Sequence, residues 1–277
     1  MNNIAVLLTV FNRREKTLKC LKSLVDCSLP ENHAIDIYLV DDGSSDGTHE
    51  AVAEQFPQVN IIRGTGNLFW NRGMHLAWKT AADRLEYDFY LWLNDDTIIH
   101  QDTVQELIAC SESEQHRSII CGSTCAVNDP DEITYGGWRP ENNILKPNGQ
   151  KQCCDYVNGN ILLVPKYVYS KVGTNDPVFH HAMGDFDYGA RARKLGIHLI
   201  VAPKVLGVCD EHPTLDAWCN PETPILKRLK LLYTPLGNHP IQHFIFERRH
   251  RGLWKSCFHF VTIHLRAIFP SFWKNRK

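Results

Sequence analysis

Four short apolar runs alternate with amphipathic segments in the first hundred residues, and that order leaves the chain few folds to choose from. The runs are Ile4–Val10, Ile35–Val40, Val59–Arg63 and Tyr87–Leu93. Each has the length of a strand and is rich in β-branched or aromatic residues, as parallel strands covered on both faces should be. Between the first two, Arg14–Val25 puts Leu18, Leu21, Leu24 and Val25 on one helical face. Thr48–Gln55 and Asn71–Leu85 are the next predicted helices. Repeated strand, helix, strand order implies right-handed crossovers, so the pattern predicts an α/β fold with a mostly parallel, Rossmann-like sheet flanked by helices.

Ligands of such sheets bind beyond the carboxyl ends of the strands. Four polar clusters fall at those ends: Thr9–Arg13, Asp41–Asp46, Gly64–Gly73 and Asn94–Thr97. Taken singly each is bland, since Asp41-Asp42-Gly43-Ser44 is an ordinary turn and a lone acidic pair such as Asp95-Asp96 is seldom a metal site. Converging in one crevice, two acidic pairs and a glycine-containing loop suit a nucleotide diphosphate and a cation that prefers hard oxygen ligands, Mg²⁺ or Mn²⁺.

The chain has 277 residues, 43% of them hydrophobic, enough for one large domain with an appendage. Its net charge of −1 argues against a nucleic-acid partner, but the charge is uneven. From Lys227 to Lys277 there are eleven Lys or Arg and one acid, Glu247, a balance of +10, so residues 1–226 carry −11. Ten cysteines without a charged-then-apolar leader after Met1 are expected to be reduced thiols of a cytoplasmic protein. Neither Cys121-Gly-Ser-Thr-Cys125 nor Cys153-Cys154 has the spacing of a structural zinc site. No run of about 18 uncharged apolar residues occurs, so no transmembrane helix is expected.

Further along, turn residues in Ser123–Cys154 predict short joined strands, Tyr156–Val164 a strand facing the site, and Ile197–Ala202 a last strand. Phe186–Leu195 reads as a helix stopped by Gly196, with Asp185 near its N-terminus. From Leu226 onward the chain is predicted to be a separate helical region. Trp254, Cys257, Phe258, Val261, Leu265 and Ile268 recur at three- and four-residue steps there. Such a basic amphipathic helix either makes peripheral contact with an anionic membrane or packs on the catalytic core. The expected domains are thus 1–225, catalytic, and 226–277, a basic amphipathic C-terminal region.

The chain resembles the family 2 glycosyltransferases of the GT-A fold. The resemblance is carried by Val6-Leu7-Leu8-Thr9-Val10-Phe11-Asn12-Arg13, by Leu39-Val40-Asp41-Asp42-Gly43-Ser44-Ser45-Asp46-Gly47-Thr48, by Asn94-Asp95-Asp96, and by Gly184-Asp185-Phe186-Asp187 with Arg191 and Arg193. It spans roughly residues 4–212, and Gly64–Met74 is similar to the glycine, asparagine and tryptophan segment of bacterial members that build lipopolysaccharide or capsule.

That resemblance implies a role for each matching residue. Thr9 and Phe11 would line the base pocket, and Asp42, beside Asp41, would accept a hydrogen bond from the pyrimidine N3–H. Arg13 and Asp95 would contact the nucleotide sugar, Asp95 at the ribose or sugar. Asn67 and Arg72 would meet the sugar or phosphates, although Arg72 also reads as a solvated helix residue. Asp96 would ligate the metal, joined by His212, which also reads as a surface histidine. Asp185 would be the base that deprotonates the acceptor in an inverting transfer. This chain has Gly184 where the family usually has Glu, and Asp187 stands as a second candidate.

The expected activity is metal-assisted transfer of a sugar from a UDP- or dTDP-sugar to a glycan or lipid-linked acceptor in bacterial surface polysaccharide synthesis, at the cytoplasmic face of the inner membrane. A sugar nucleotidyltransferase would carry a glycine-rich phosphate loop where Thr9–Arg14 stands, and a noncatalytic nucleotide-sugar binder would not need Asp185. No GxGxxG follows the first strand, which sets aside a dinucleotide oxidoreductase.

Overall fold

The structure is a computed structural model that describes residues 2–140, 143–210 and 216–273. The first half runs β1 (Asn2–Val10), α1 (Arg14–Val25), β2 (His33–Asp41), α2 (Thr48–Gln55), β3 (Asn60–Arg63), α3 (Phe69–Arg84), β4 (Phe89–Leu93), β5 (Ile98–Ile99), α4 (Thr103–Ser113) and β6 (Ile119–Cys125). Then come β7 (Ile133–Tyr135), β8 (Gly137–Trp138), β9 (Gln152–Cys154), β10 (Tyr156–Val157), β11 (Ile161–Pro165), α5 (Lys166–Val172), α6 (Gly184–Lys194) and β12 (Leu199–Val208). The described C-terminal helices are α7 (Ile225–Leu232), α8 (Pro240–His250) and α9 (Leu253–Ile268), followed by a 3₁₀ turn at Pro270–Trp273.

The central sheet has the order β3-β2-β1-β4-β11-β6-β12-β5. The α/β class and the parallel arrangement of β3, β2, β1 and β4 follow the predicted alternation. Beyond β4 the sheet is mixed, because β11 lies antiparallel between β4 and β6. Strand periodicity divides β1 between two cores. Ile4, Val6 and Leu8 face α1 and α4 through Leu21, Leu24, Val104 and Leu107. Ala5 and Leu7 face α3 and α6, among Met74, Trp78, Tyr188 and Ala192.

Several elements differ from their predicted form. Helix α3 begins at Phe69, two residues early. The expected single strand over Tyr156–Val164 is broken into β10 and β11 by Asn158-Gly159-Asn160. The last strand is longer than predicted and extends to Val208, with irregular pairing to β6 between Val201 and Gly207. All ten cysteines are free thiols.

The chain forms two compact units, Met1–Asp176 with Asp185–Glu211, and Pro177–Gly184 with His212–Lys277. Within the second, Trp218, Cys219, Leu232, Ile263 and Ala267 make a small core. Helix α9 packs through Ser256, Ile263 and Ala267, the side opposite the apolar stripe read from sequence. Trp254, Phe258, Val261 and Leu265 of that stripe are exposed, Trp254 to 83%. Among the described residues no helix is long and apolar enough to cross a membrane.

Close packing of α3 on β1 depends on Gly73. A Cβ there would lie 2.2 Å from Thr9 Oγ1 and 2.8 Å from Thr9 Cβ. Gly73→Ala should therefore cost about 1–3 kcal/mol by overpacking, outweighing the gain of about 1 kcal/mol in helix propensity. Urea unfolding measures this, and a variant as stable as the parent would show that the helix shifts freely.

Candidate active site

The parallel register of β1, β2 and β4 brings three strand ends to one margin of the sheet, with Val10 opposite Asp41 and Leu7 opposite Trp92. The loops that follow are stitched together by local polar chemistry. Asn12, at a positive φ that asparagine tolerates, receives the Ser45 N–H on Oδ1 at 2.7 Å and donates its own N–H to Ser44 Oγ at 3.0 Å. Asp46 accepts from the N–H groups of Arg14 and Thr48, which fixes the start of α2 beside the start of α1. Asp41 Oδ1 closes the turn by accepting the Ser44 N–H at 2.8 Å.

Asp42 is turned into the protein. Its Oδ1 accepts the Gly66 N–H at 2.8 Å, and its Oδ2 accepts those of Leu68 at 2.7 Å and Phe69 at 3.0 Å. Phe69 has a φ of 56°, which is uncommon for a bulky residue, and the carboxylate holds it there. The base-recognition role implied for Asp42 therefore competes with three backbone donors. Thr9 is likewise packed against Gly73 of α3 and is 8% exposed. Phe11 and Asn67, by contrast, stand exposed at the mouth, and Arg72 is half-buried in the first turns of α3.

Asp95 and Asp96 follow β4 and are mostly buried at their side chains. Like charges so close need a cation, and Arg13 supplies it. Its Nη1 donates to Asp95 Oδ1 at 3.2 Å and to Asp96 Oδ2 at 2.8 Å, while Lys16 Nζ lies 4.0 Å from Asp96. Desolvation raises the Asp95 carboxyl to about 7, with Arg13 opposing the rise and Asp96 adding to it. Thr17 Oγ1 also reaches Asp95 Oδ2 at 3.4 Å, and Cys209 Sγ approaches Asp96 Oδ1 at 3.7 Å. Burial pushes the Cys209 thiol up to about 12, so it stays a neutral donor. The donor set at Asp96 is one hard carboxylate on a short loop. It fits a Mg²⁺-like ion, which takes one or two protein carboxylates and completes its shell with water and substrate phosphates. His212 lies outside the described residues.

Asp185 opens α6. Its Oδ1 accepts the Phe186 N–H at 2.8 Å and its Oδ2 the Gly159 N–H at 3.1 Å. Desolvation raises its carboxyl to about 6, partly offset by those hydrogen bonds. Asp187, the second candidate, is fully buried and bonded to Arg191 Nε at 2.9 Å. That ion pair, one helical turn apart, engages the Asp187 carboxylate within its own helix.

Asn158-Gly159-Asn160 connects the two acidic centres. Asn160 accepts the Asn94 N–H at 3.1 Å through its carbonyl, next to Gly159, whose N–H donates to Asp185, and Asn158 Oδ1 accepts Trp138 Nε1 at 2.6 Å. Trp70 Nε1 donates to Asn94 Oδ1 at 2.7 Å, and a Cβ on Gly159 would strike the Trp70 ring at 2.5 Å. Sequence reasoning gave Trp70, Asn94 and Asn160 no role. Their only sequence signal is adjacency to assigned residues, because each acts through a contact distant in the chain.

A family model, Glycosyl transferase family 2, matches residues 5–168. The N-acetylglucosaminyl-diphospho-decaprenol L-rhamnosyltransferase of Mycobacterium tuberculosis is 22% identical over 267 residues, covering 84% of this chain and 81% of that protein. Residues 1–349 of S. aureus TarS align with a TM-score of 0.58 at 14% identity over 97% of this chain and 81% of theirs. The mannosyltransferase PcManGT from Pyrobaculum calidifontis, in complex with GDP-Man and Mn²⁺, gives 0.57 at 16% identity over 99% and 76%. The two structures share the fold of this chain.

The Asp42 contacts make a local prediction. Asp42→Asn keeps one acceptor oxygen and loses the charge, so amides 66–69 should exchange roughly 10- to 100-fold faster, the worth of about 1.5–3 kcal/mol in charge-assisted bonds. Hydrogen exchange read by mass spectrometry measures this, and unchanged protection of that segment would remove the carboxylate as its anchor.

Proposed function

The chain belongs to glycosyl transferase family 2 and is a glycosyltransferase, and we propose that it moves one sugar, with inversion, from a UDP- or dTDP-sugar to a glycan or lipid-linked acceptor of a bacterial surface polysaccharide. One observation carries the reading. The Asp185 carboxyl and the Asp95-Asp96 loop are joined through Asn158–Asn160, so a proton acceptor and a donor-binding acid pair are braced on the same short segment. The relative that acts as a rhamnosyltransferase on a decaprenol-linked diphosphate supports a lipid-linked acceptor.

In this reading Phe11 and Asp41 flank the base, and Asn67, Arg72 and Asp95 contact ribose, sugar or phosphates. Asp96 holds Mg²⁺ or Mn²⁺, with His212 as a further candidate ligand. When bound, the cation offsets charge developing on the departing diphosphate. Arg13, more than a third exposed at its side chain, neutralises the acid pair and also lies close enough to the strand ends to meet phosphate. Asp185 takes the acceptor hydroxyl's proton as that oxygen attacks the anomeric carbon. Its raised pKa suits the task, since it is ionised at neutral pH yet more basic than an ordinary carboxylate.

Thr9 and Asp42 keep their place beside the base in this reading, and the Thr9 contact with Gly73 and the three donors on Asp42 support a further part for both in shaping the pocket wall and its loop. Outside the catalytic unit, the exposed stripe Trp254, Phe258, Val261 and Leu265 and the exposed Lys227, Lys230, Arg248, Arg249 and Lys255 suit peripheral attachment to an anionic cytoplasmic membrane surface.

Two variants separate the steps. Asp96→Asn should abolish the metal-dependent thermal shift produced by UDP or dTDP, whereas Asp185→Asn should keep that shift and lower kcat by a factor on the order of 10² to 10⁴. Because Asp185 must be ionised to act, kcat/KM of the parent should be full above its pKa of about 6 and fall as the pH drops through it. Near-normal turnover of Asp185→Asn would remove it as the base, and no shift with any nucleoside diphosphate would remove the donor class.

Membrane attachment is tested by co-sedimentation with phosphatidylglycerol-containing vesicles. The parent should pellet and the Trp254→Ser/Phe258→Ser variant should remain in the supernatant. Equal partitioning of the two would remove the membrane role.

A further inference from the structure

The helical unit contains a second group of metal-ligating side chains, which sugar transfer does not use. His243 and Glu247 lie one turn apart on α8, and His259 faces them from α9. One ligand atom from each can be chosen so that all three lie within 4.8 Å of one another. Ligands of a tetrahedral ion with bonds of about 2.0–2.1 Å stand roughly 3.4 Å apart, so modest side-chain rotation closes the site.

The three groups lie close together, and each has a buried polar atom with no hydrogen-bond partner among the described residues. Glu247 is 2% exposed, and its Oε2 has no hydrogen-bond partner among the described residues. His243 Nδ1 and His259 Nδ1 are buried and equally without one. His259 Nδ1 lies only 3.1 Å from Glu247 Oε1, yet the pair does not have the geometry of a hydrogen bond. Buried polar atoms are nearly always bonded, so three such atoms in one cluster call for a ligand. Arg251 Nη1 donates to Glu247 Oε1 at 3.1 Å and so orients the carboxylate from outside, as outer partners do in metal sites. A cavity of about 240 Å³ adjoins them, bordered also by Trp218, Asn238 and Thr262, with room for a water as fourth ligand.

We propose that His243, Glu247 and His259 bind a divalent transition-metal ion, Zn²⁺ by the chemistry of two imidazoles and a carboxylate, and that this ion clasps α8 to α9. Imidazole donors favour Zn²⁺ over the Mg²⁺ or Mn²⁺ that suits the oxygen ligands of Asp96, so the two sites select different metals. With three protein ligands on two helices and none from the catalytic unit, the site is independent of the proposed transfer reaction.

The test uses the full chain, stripped with a chelator and titrated with Zn²⁺, with Co²⁺ as a visible probe. The parent and Asp96→Asn should each bind one equivalent of Zn²⁺, melt at higher temperature with it, and give the intense visible bands of four-coordinate Co²⁺. His243→Gln and His259→Gln should lose on the order of 100-fold or more in affinity, at least the effect of removing an outer-shell partner. An excess of Mg²⁺ should not displace the zinc. Absence of zinc binding by the parent would overturn the proposal, leaving Glu247 as the partner of Arg251 only. Retention of zinc by the combined His243→Gln/His259→Gln variant would also overturn it, because other histidines or thiols would then hold the ion. If the variants do not fold, X-ray absorption of the zinc-loaded parent decides: nitrogen and oxygen ligation with imidazole scattering supports the site, and sulfur ligation overturns it.

Discussion

Two carboxylates side by side in a mostly buried place repel one another, and the catalytic unit is arranged around the cation that makes this tolerable. Arg13 reaches both Asp95 and Asp96 because β1 and β4 are adjacent, parallel and nearly level at their ends. A one-residue slip in that register would turn every β1 side chain to the opposite core. Ile4, Val6 and Leu8 would then leave α1, and Ala5 and Leu7 would leave α3. The hydrophobic division of β1 and the electrostatics of the acid pair thus specify the same strand alignment.

The second half of the site rests on a broken strand. Between β10 and β11, Asn158-Gly159-Asn160 interrupts the strand, which frees the Gly159 N–H for Asp185, while the Asn160 carbonyl extends the β11–β4 register by one bond to Asn94. Aromatic packing beneath keeps the parts aligned. Trp78 lies 5.4 Å from Trp92 and 5.3 Å from Tyr188, and Trp92 lies 5.3 Å from Tyr188, so α3, β4 and α6 share one cluster. Asp185 and Asp95 leave the ends of two elements that this cluster joins.

Periodicity made the parallel half legible. It located β1, α1 and α2 to within a few residues, because each carries a full local pattern of burial and turn residues. It did not find α4, β6 or α5, whose positions depend on the antiparallel insertion of β11. The break at Asn158–Asn160 had a signal in the Asn-Gly pair, which the apolar residues on either side, Tyr156-Val157 and Ile161–Val164, outweighed in the reading of one strand. Within the site, the acid pairs stood out by composition, but their partners did not. Asp42 meets amides 24 to 27 residues away, Arg13 meets acids more than 80 away, and only the folded sheet makes them neighbours. The Asp187–Arg191 pair was within reach of sequence reasoning, since residues four apart on a helix face each other.

The Asp42 latch bears on how the pocket meets its ligand. A loop fastened by a carboxylate of its own chain, with Phe69 already in its unfavourable backbone state, is ordered when the protein folds. The entropy of fixing residues 64–69 is then not charged against the free energy of association. A pocket wall prepared in this way favours rapid, rigid-body capture of the ligand, and it confines whatever adaptability the site has to the exposed side chains at its rim.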